Sequence, residues 1–364
     1  MGDVVAVLGG GQLGRMLGLA GLPLGLGFRF LDPVADAPAA ALGPLVVGEL
    51  GDQDALARVA DGATVTTYEW EGVPAEGARF LEANGRSVLP SPGALEVAQD
   101  RLVEKKMFRR LGLATPDFAP VDDRGELDDA VTTIGLPAVL KTRRGGYDGK
   151  GQRVVASARD VDHAWRELGG VPLILERLVP FDREVSILAV RGRDGTTACW
   201  PVIENVHRDG ILRTSRAPAP GAAGPLQVKA EAFARPVLDD LEYVGVLAIE
   251  LFQEGPDLLA NELAPRVHNS GHWTIEGAVT SQFENHLRAI LSWPLGSTAA
   301  VGVSAMVNCI GELPNPAAVL AVPGAHLHDY QKAPRPGRKV GHVTVTAETE
   351  DTLDRRLAML PVSP

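Results

Sequence analysis

A chain of 364 residues with 45% hydrophobic and 22% charged side chains is long enough for two or three domains with real cores. Its formal charge of −11 opposes indiscriminate binding to nucleic acid or anionic membranes, so any anionic ligand must meet a local basic patch. Only Cys199 and Cys309 are present, without metal-ligand spacing, which argues against a disulfide scaffold or zinc site and fits a reducing cytoplasm. MGDVVAVLGGG has an acid where a secretion signal needs basic residues, and the apolar run Leu17 to Phe30 is broken by glycine, so neither export nor a membrane span is expected.

Asp3 to Leu8 (DVVAVL) reads as a buried parallel strand, followed by Gly9, Gly11 and Gly14 in GGGQLGRML at the start of a helix. The glycines allow a tight turn, and a helix N-terminus offers free N–H groups to an anion. Phe28 to Leu31 makes a second strand ending at Asp32, near where a nicotinamide-binding fold puts its ribose carboxylate. A dinucleotide, another phosphate ligand and a purely structural turn are all open at this point. Asp52 to Val59 is expected as helix and Ala63 to Tyr68 as strand; Glu69-Trp70-Glu71 at its end either lines a ligand crevice or caps a helix beginning near Pro74. Ser91-Pro92-Gly93 closes a first domain.

One long charged helix is expected from Ala94 to Leu111, with Arg101, Lys105, Lys106, Arg109 and Arg110 as a solvated face. A helix at Leu127 to Ile134 and strands at Ala138 to Thr142 and Gln152 to Ala156 then frame RRGGYDGKG. Gly145, Gly146, Gly149 and Gly151, bracketed by Lys141, Arg143, Arg144 and Lys150, make a mobile loop and a second phosphate-cradle candidate. It is not a Walker A loop, because Gly151 stands where Ser or Thr would hold Mg²⁺. Strands Pro172 to Leu175 and Glu184 to Val190 flank a short crossover bearing Glu176 and Glu184, a suitable place for adenosine. His207 lies in a β-rich stretch, where a lone histidine is usually structural. Leu226 to Tyr243 is an amphipathic helix.

Val246 to His272 is the stretch around which the rest is arranged. Two apolar runs flank Glu254-Gly255-Pro256-Asp257 and make a hairpin. Closed symmetrically about Pro256, it places Glu250 opposite Glu262, Ala248 opposite Ala264 and Phe252 opposite Ala260. Like charges directly opposed across a ladder are unfavourable, unless a hard divalent cation lies between them. A register slip would instead turn one glutamate to water. Asn261 and Glu262 are candidate metal or phosphate ligands, and Arg266, His268, Asn269, Ser270 and His272 beyond the strand read as an anion-binding loop. Ser281 to Leu291 is a helix. The tail carries strands SAMVNCIG and GHVTVTA, and between them HLHDYQKAPRPGRKVGH, whose Lys332, Arg335, Arg338 and Lys339 form either a phosphate site or a surface turn.

Three phosphate-handling loops, a carboxylate pair and an anion loop suit phosphoryl transfer to a small acid better than hydride transfer. GGGQLGRM at Gly9 to Met16, GGYDGKGQ at Gly145 to Gln152, NELAPRVHNSGHW at Asn261 to Trp273 and RPGRKVGH at Arg335 to His342 together resemble the ATP-grasp ligases, and among them those that carboxylate an aminoimidazole ribonucleotide in purine biosynthesis. The resemblance covers nearly the whole chain. It implies a mixed α/β and α+β architecture: an N-terminal doubly wound domain (1–93), an ATP-grasp module (94–300) with a lid at about 115–182, and a small C-terminal β-rich domain (301–364). It assigns ATP to Arg101, Lys141, the loop Gly146, Tyr147, Asp148, Gly149, Lys150, Gly151 and Gln152, and to Glu176, Val179, Glu184, His207 and Asn261. Glu250 and Glu262 would hold Mg²⁺ or Mn²⁺; Arg266, His268 and Asn269 would receive bicarbonate or carboxyphosphate. Gln12, Leu13, Tyr147, Asp148 and Lys150 would lie by the ribonucleotide, with Lys332 and Arg338 on its phosphate, and Asp148 would orient the amine. A cytoplasmic homodimer acting on small molecules is implied. A formate-dependent transformylase or biotin-carboxylase-like enzyme should lack the RPGRKVGH tail, and a dehydrogenase rests only on the first loop and Asp32.

Overall fold

The computed structural model describes residues 2–146 and 149–362. Tyr147 and Asp148, both expected beside the ribonucleotide, lie outside the described residues. Strands β1 (Val4–Leu8), β2 (Gly27–Asp32), β3 (Leu45–Val47) and β4 (Val65–Tyr68) form a parallel sheet in the order β3-β2-β1-β4, wound with helices α1 (Gln12–Gly21), α2 (Gln53–Ala60) and α3 (Ala75–Ala83). Alternation along β1 explains why it is apolar throughout. Val5 and Val7 join a core with Leu13, Met16 and Leu17 of α1, while Ala6 and Leu8 join one with Leu56 and Val59 of α2 and Leu81 of α3.

The expected helix over Ala94 to Leu111 is two helices, α4 (Pro92–Ala98) and α5 (Arg101–Arg110). Asp100 breaks it by adopting extended backbone and accepting from Leu102 N at 3.0 Å and Val103 N at 3.4 Å, an N-cap that competes with helix continuation. Nor is the basic face of α5 uniformly solvated: Lys106, Arg109 and Arg110 are exposed, but Lys105 is buried and Arg101 turns inward.

A second, antiparallel sheet follows, with β5 (Phe118–Val121), β6 (Ala138–Thr142), β7 (Gln152–Val155) and β8 (Leu173–Arg177) in the order β5-β8-β6-β7, covered by α6 (Arg124–Ile134) and α7 (Ala158–Leu168). The period of two sorts its faces. Ala138 and Leu140 of β6 and Leu173 and Leu175 of β8 pack under Leu127, Ala130, Val161 and Ala164 of the helices. Lys141 and Glu176 therefore emerge on the other face, towards α5.

The largest sheet is antiparallel throughout. Its strands are β9 (Arg183–Arg191), β10 (Thr197–Cys199), β11 (Ile203–Arg208), β12 (Ile211–Ala217), β13 (Gly245–Glu254), β14 (Asp257–Ala264), β15 (Val303–Ile310), β16 (Ala325–Asp329) and β17 (Lys339–Ala347). They run in the order β14-β13-β9-β11-β12-β15-β17-β16, with β10 beside β9. Helices α8 (Pro225–Asp240), α9 (Thr274–Gly277), α10 (Gln282–Ile290), α11 (Pro316–Leu320) and α12 (Glu350–Leu357) complete the chain. The tail strands continue the central sheet through the β12–β15 pairing. Part of HLHDYQKAPRPGRKVGH, read as one connection, is the strand β16, so the basic turn is confined to residues 330–338.

The β13–β14 hairpin sets Glu250 opposite Glu262 and Ala248 opposite Ala264, as the sequence suggests. Phe252 lies opposite Leu259, however, not Ala260. The turn closes one residue tighter, with Glu254 opposite Asp257, and a bulge between Glu250 and Leu251 takes up the difference. Asn261 is the extra residue on β14, and such a residue is re-aimed by the break in the ladder.

Candidate active site

The N-terminal sheet, the central hairpin, the glycine-rich loop and the basic turn converge on a cavity of about 720 Å³. Glu250 and Glu262 line it, as does Asn261, the bulged residue of β14. Arg101, from the first turn of α5, donates to Glu262 at 2.8 Å and holds that carboxyl down against the opposing effect of burial. Glu250 has no such arginine: burial, with the charges of Glu262 and Glu184, pushes it up to about 7, although His207 pulls the other way. Asn261 Oδ1 is buried and lacks a protein partner. Paired oxygens and an unpartnered amide oxygen suit a hard cation, and Mg²⁺ needs only one or two carboxylates when phosphate oxygens complete its shell. Among the described residues, no cluster of three or more His, Cys, Asp or Glu side chains is arranged to hold a metal.

Beyond β14 the polar loop is not a surface loop. Arg266 pairs with Glu71 of the N-terminal unit at 2.8 Å, and His268 Nε2 lies 3.5 Å from Glu250. His268 Nδ1 accepts from Ser270 N at 3.3 Å and pairs with Ser270 Oγ at 2.9 Å, which puts the proton of a neutral ring on Nε2, facing the cavity. Burial, aided by Arg266 and Lys339, holds His268 well below the usual histidine range. A buried ladder supports the loop: Ser215 donates to Asn205 at 2.8 Å, Asn205 to Ser186 at 2.9 Å, and Ser186 to Ser270 at 3.0 Å. Asn269 exchanges amide hydrogen bonds with Asn308 of β15 at 3.2 and 2.8 Å.

Across the cavity lie Gln12 and Leu13, Lys332, Arg335 and Arg338 of the basic turn, and Lys339 at the start of β17. Lys332 hydrogen-bonds Gln12. Burial and the neighbouring Arg338, Lys339 and Arg335 pull the Lys332 ammonium down, against Glu69. Such crowding of cations is relieved by an anion. Gly149, Lys150, Gln152, Glu184 and His207 line the same space. His207 hydrogen-bonds Glu184; burial disfavours its charge, but that bond and the charges of Glu250 and Glu184 prevail and raise it.

Other expected residues sit elsewhere. Lys141, Glu176, Val179 and Gly151 do not line the cavity, and Gly146 lines a smaller cleft of about 320 Å³ beside it. Lys141 donates to Glu176 at 3.0 Å beneath the second sheet. Gly151 serves the backbone, its carbonyl accepting from Thr142 N at 2.8 Å.

At the N-terminal fingerprint the structure favours the structural turn among the three readings left open. Glu69, at the end of β4, accepts from Gly11 N at 2.9 Å and from Leu13 N and Gly14 N at 3.0 Å, so a carboxylate of the chain itself fills the cradle at the N-terminus of α1. A Cβ on Gly11 would come within 2.6 Å of Glu69 Oε1. Asp32 accepts from Gly10 N at 2.7 Å instead of waiting for a ribose. Of the two readings of Glu69-Trp70-Glu71, all three residues line the cavity and none caps the helix near Pro74; Glu69 caps α1 instead and occupies the N–H groups of the first loop. Asp100, Asn308 and Tyr330, which lines the cavity with its hydroxyl 2.8 Å from His342 Nδ1, escaped the sequence reading as site-supporting residues. Asn308 had a signal, an amide within the apolar run of β15, whereas Asp100 and Tyr330 had none.

Family models for a ribonucleotide synthetase preATP-grasp domain, an ATP-grasp domain and a phosphoribosylaminoimidazole carboxylase C-terminal domain match residues 2–99, 106–283 and 304–356. The N5-carboxyaminoimidazole ribonucleotide synthase of Pseudomonas aeruginosa is 54% identical over 97% of both chains. The crystal structure of the synthetase from Thermus thermophilus superposes with a TM-score of 0.95 at 58% identity, covering 99% of both chains. That of the Aspergillus clavatus synthase, in complex with ADP and 5-aminoimidazole ribonucleotide, gives 0.91 at 31% identity, covering 98% of this chain and 96% of the other. The chain belongs to the N5-carboxyaminoimidazole ribonucleotide synthase family of ATP-grasp ligases.

Proposed function

We propose that this ligase joins bicarbonate to the exocyclic amine of 5-aminoimidazole ribonucleotide at the expense of ATP, giving N5-carboxyaminoimidazole ribonucleotide, ADP and phosphate in purine biosynthesis. One observation carries the reading: a single cavity combines the Glu250–Glu262 pair, the Arg266–His268–Asn269 loop and the Lys332–Arg338 turn. Bicarbonate is a poor electrophile. An oxygen of bicarbonate attacks the γ-phosphorus, ADP leaves, and the resulting carboxyphosphate has phosphate as a good leaving group. The amine then attacks the carboxyl carbon, phosphate departs and the amine loses a proton. Water must be excluded, because carboxyphosphate hydrolyses readily.

The residues divide this work. Glu250 and Glu262, with Asn261, would hold Mg²⁺, which when bound neutralises charge on the transferring phosphoryl group. Arg101, Lys141, residues 146–152, Glu176, Val179, Glu184 and His207 would form the nucleotide side. Arg266 and Asn269 would orient bicarbonate, and the Nε2–H of His268 would donate to its developing charge rather than act as a base. Gln12, Leu13 and Lys150 would face the ribonucleotide, and Lys332 and Arg338 its phosphate; Tyr147 and Asp148 are assigned there by the family pattern alone. Functional units at 1–93, 94–300 and 301–364, with a lid at about 115–182, are supported by the order of the matching family models and by the separate sheet over residues 118–177. A cytoplasmic homodimer is proposed on the family resemblance; no helix among the described residues is long and apolar enough to cross a membrane.

The test is ADP release with Mg·ATP and bicarbonate, with and without the ribonucleotide, while the carboxylated product is followed. Release that requires the ribonucleotide and yields the carbamate is expected; no stimulation would discard this substrate. Glu262→Gln should cut turnover by about a thousandfold, ~4 kcal/mol of barrier, with the melting curve of a folded protein. Full activity in that variant would sink the metal assignment.

A further inference from the structure

The mechanism above leaves one buried cation without a task. Lys105, on the inward face of α5, is fully buried, with its ammonium 3.1 Å from the carbonyl of Ala260 on β14 and 3.4 Å from Glu176 Oε2 on β8. Lys141 Nζ lies 3.0 Å from the same oxygen, while Glu176 Oε1 is buried without a partner. Two lysines thus share one carboxylate oxygen in a site closed to water. Burial pushes the Glu176 carboxyl up, but Lys105, Lys141 and Arg101 outweigh it and hold it at about 2.

The two lysines are not equivalent. Lys105 is fixed at both ends, by α5 and by the Ala260 carbonyl, whereas Lys141 projects from β6, next to the glycine-rich loop. If Lys141 goes to an ATP phosphate, Glu176 must keep a counter-charge, because an unpaired buried carboxylate is strongly unfavourable. We propose that Lys105 is a positioning residue for nucleotide binding: it keeps the Glu176 carboxylate neutralised, so that Lys141 is free to leave it for the phosphates of ATP. This rests on the assignment of Lys141 to ATP made above. Lys105 acts through Glu176 and touches no reacting atom. It also ties the second sheet, through Glu176, to the hairpin strand that bears Glu262.

The experiment compares steady-state kinetics of Lys105→Met, Glu176→Gln and the double variant, varying ATP at saturating bicarbonate and ribonucleotide. In Lys105→Met, drawing Lys141 away strands the carboxylate, so KM for ATP should rise about tenfold, the order expected for one buried charge-assisted hydrogen bond, while kcat changes less than about twofold. Adding Glu176→Gln removes the charge that needed a partner, so KM for ATP in the double variant should lie within about threefold of that in Glu176→Gln alone, the reference for any contact Glu176 itself makes with the nucleotide. A merely structural lysine predicts no rescue. An unchanged KM in Lys105→Met, or a rise by the same factor when Lys105→Met is added to Glu176→Gln, overturns the proposal. Should Lys105→Met not fold, Lys105→Gln, which keeps a donor without charge, carries the same expectations. Lys141→Met serves as the reference: if it leaves KM for ATP unmoved, the Lys141 assignment itself fails, an outcome separate from failure of the Lys105 variants alone.

Discussion

Two glycine-rich turns, at residues 9–14 and 144–151, could each cradle an anion, yet only one is left for a ligand. In the first, Glu69 reaches across from β4 and accepts three backbone N–H groups. In the second, the backbone closes on itself where Thr142 N meets the Gly151 carbonyl, and Gly149, Lys150 and Gln152 face the cavity. The glycines of the first turn serve close approach by an internal carboxylate; those of the second, on the function proposed above, would serve a turn over the substrate. A cradle of N–H groups is thus a ligand site only when the fold does not supply its own anion.

Removing that anion gives the largest stability effect expected from this comparison. Glu69→Ala leaves the N–H groups of Gly11, Leu13 and Gly14 without their acceptor, and should cost about 3 kcal/mol or more in unfolding free energy measured in denaturant without ligands. An unchanged midpoint would erase the distinction between the turns. The carboxyl also lines the cavity, so the melt of unliganded protein, not the rate, is the decisive readout.

The first turn is also bolted to the central sheet, and the bolt is sensitive to acid. His286 of α10 accepts from Val246 N at 3.1 Å through Nδ1 and meets Thr67 Oγ1, on the strand that presents Glu69, at 2.9 Å through Nε2. Protonating Nδ1 would set it against the Val246 N–H, and burial pulls this histidine from 6.5 to about 4. Because the folded value is depressed, the stabilisation is complete above pH 6.5 and is lost as pH falls towards 4. The full amount is ~3 kcal/mol, of which ~2 kcal/mol goes between pH 6.5 and 5. His286→Gln should lower stability at pH 7.5 and flatten the slope between pH 6.5 and 5; parallel slopes for variant and parent would overturn the assignment. His268, His272 and His342, also held well below the usual range by burial, leave some slope in either protein.

How much of this was legible in the sequence depends on range. Apolar runs located β1, β2 and β4 of the first sheet, β6, β7 and β8 of the second and the hairpin, because burial dictates those patterns locally, but not the short β3 and β5. The Glu250–Glu262 pairing was legible too, since a turn lies only a few residues from both. The Phe252 register was not, because a bulge at Asn261 leaves no mark in composition. Glu69 as the occupant of the first cradle was equally hidden: Gly11 and Glu69 are 58 positions apart, and only the parallel pairing of β1 with β4 joins them. Lys105 was misread because a helix pattern shows which face is apolar, not whether a buried carboxylate waits opposite a lysine.

The smallest stability effect belongs to the second turn, and there the consequence should appear in chemistry instead. Gly149 has φ +75°, and a Cβ there would stand 3.0 Å from Gly210 Cα and 3.3 Å from the Asp209 carbonyl, in the turn between β11 and β12. Gly149→Ala therefore costs about 1 kcal/mol of local strain, little of it visible in global unfolding if the loop opens before the core does. The same Cβ pushes Gly149 away from that turn, and so loosens the cover proposed for the cavity that Gly149 and Lys150 line. Carboxyphosphate made beneath an ill-fitting cover meets water, so ADP formed per carboxylated product should rise above one while the denaturation midpoint stays near that of the parent. A lowered midpoint with stoichiometric coupling would mean that Gly149, like Gly11, serves packing, and the two turns would then differ only in which part of the protein fills them.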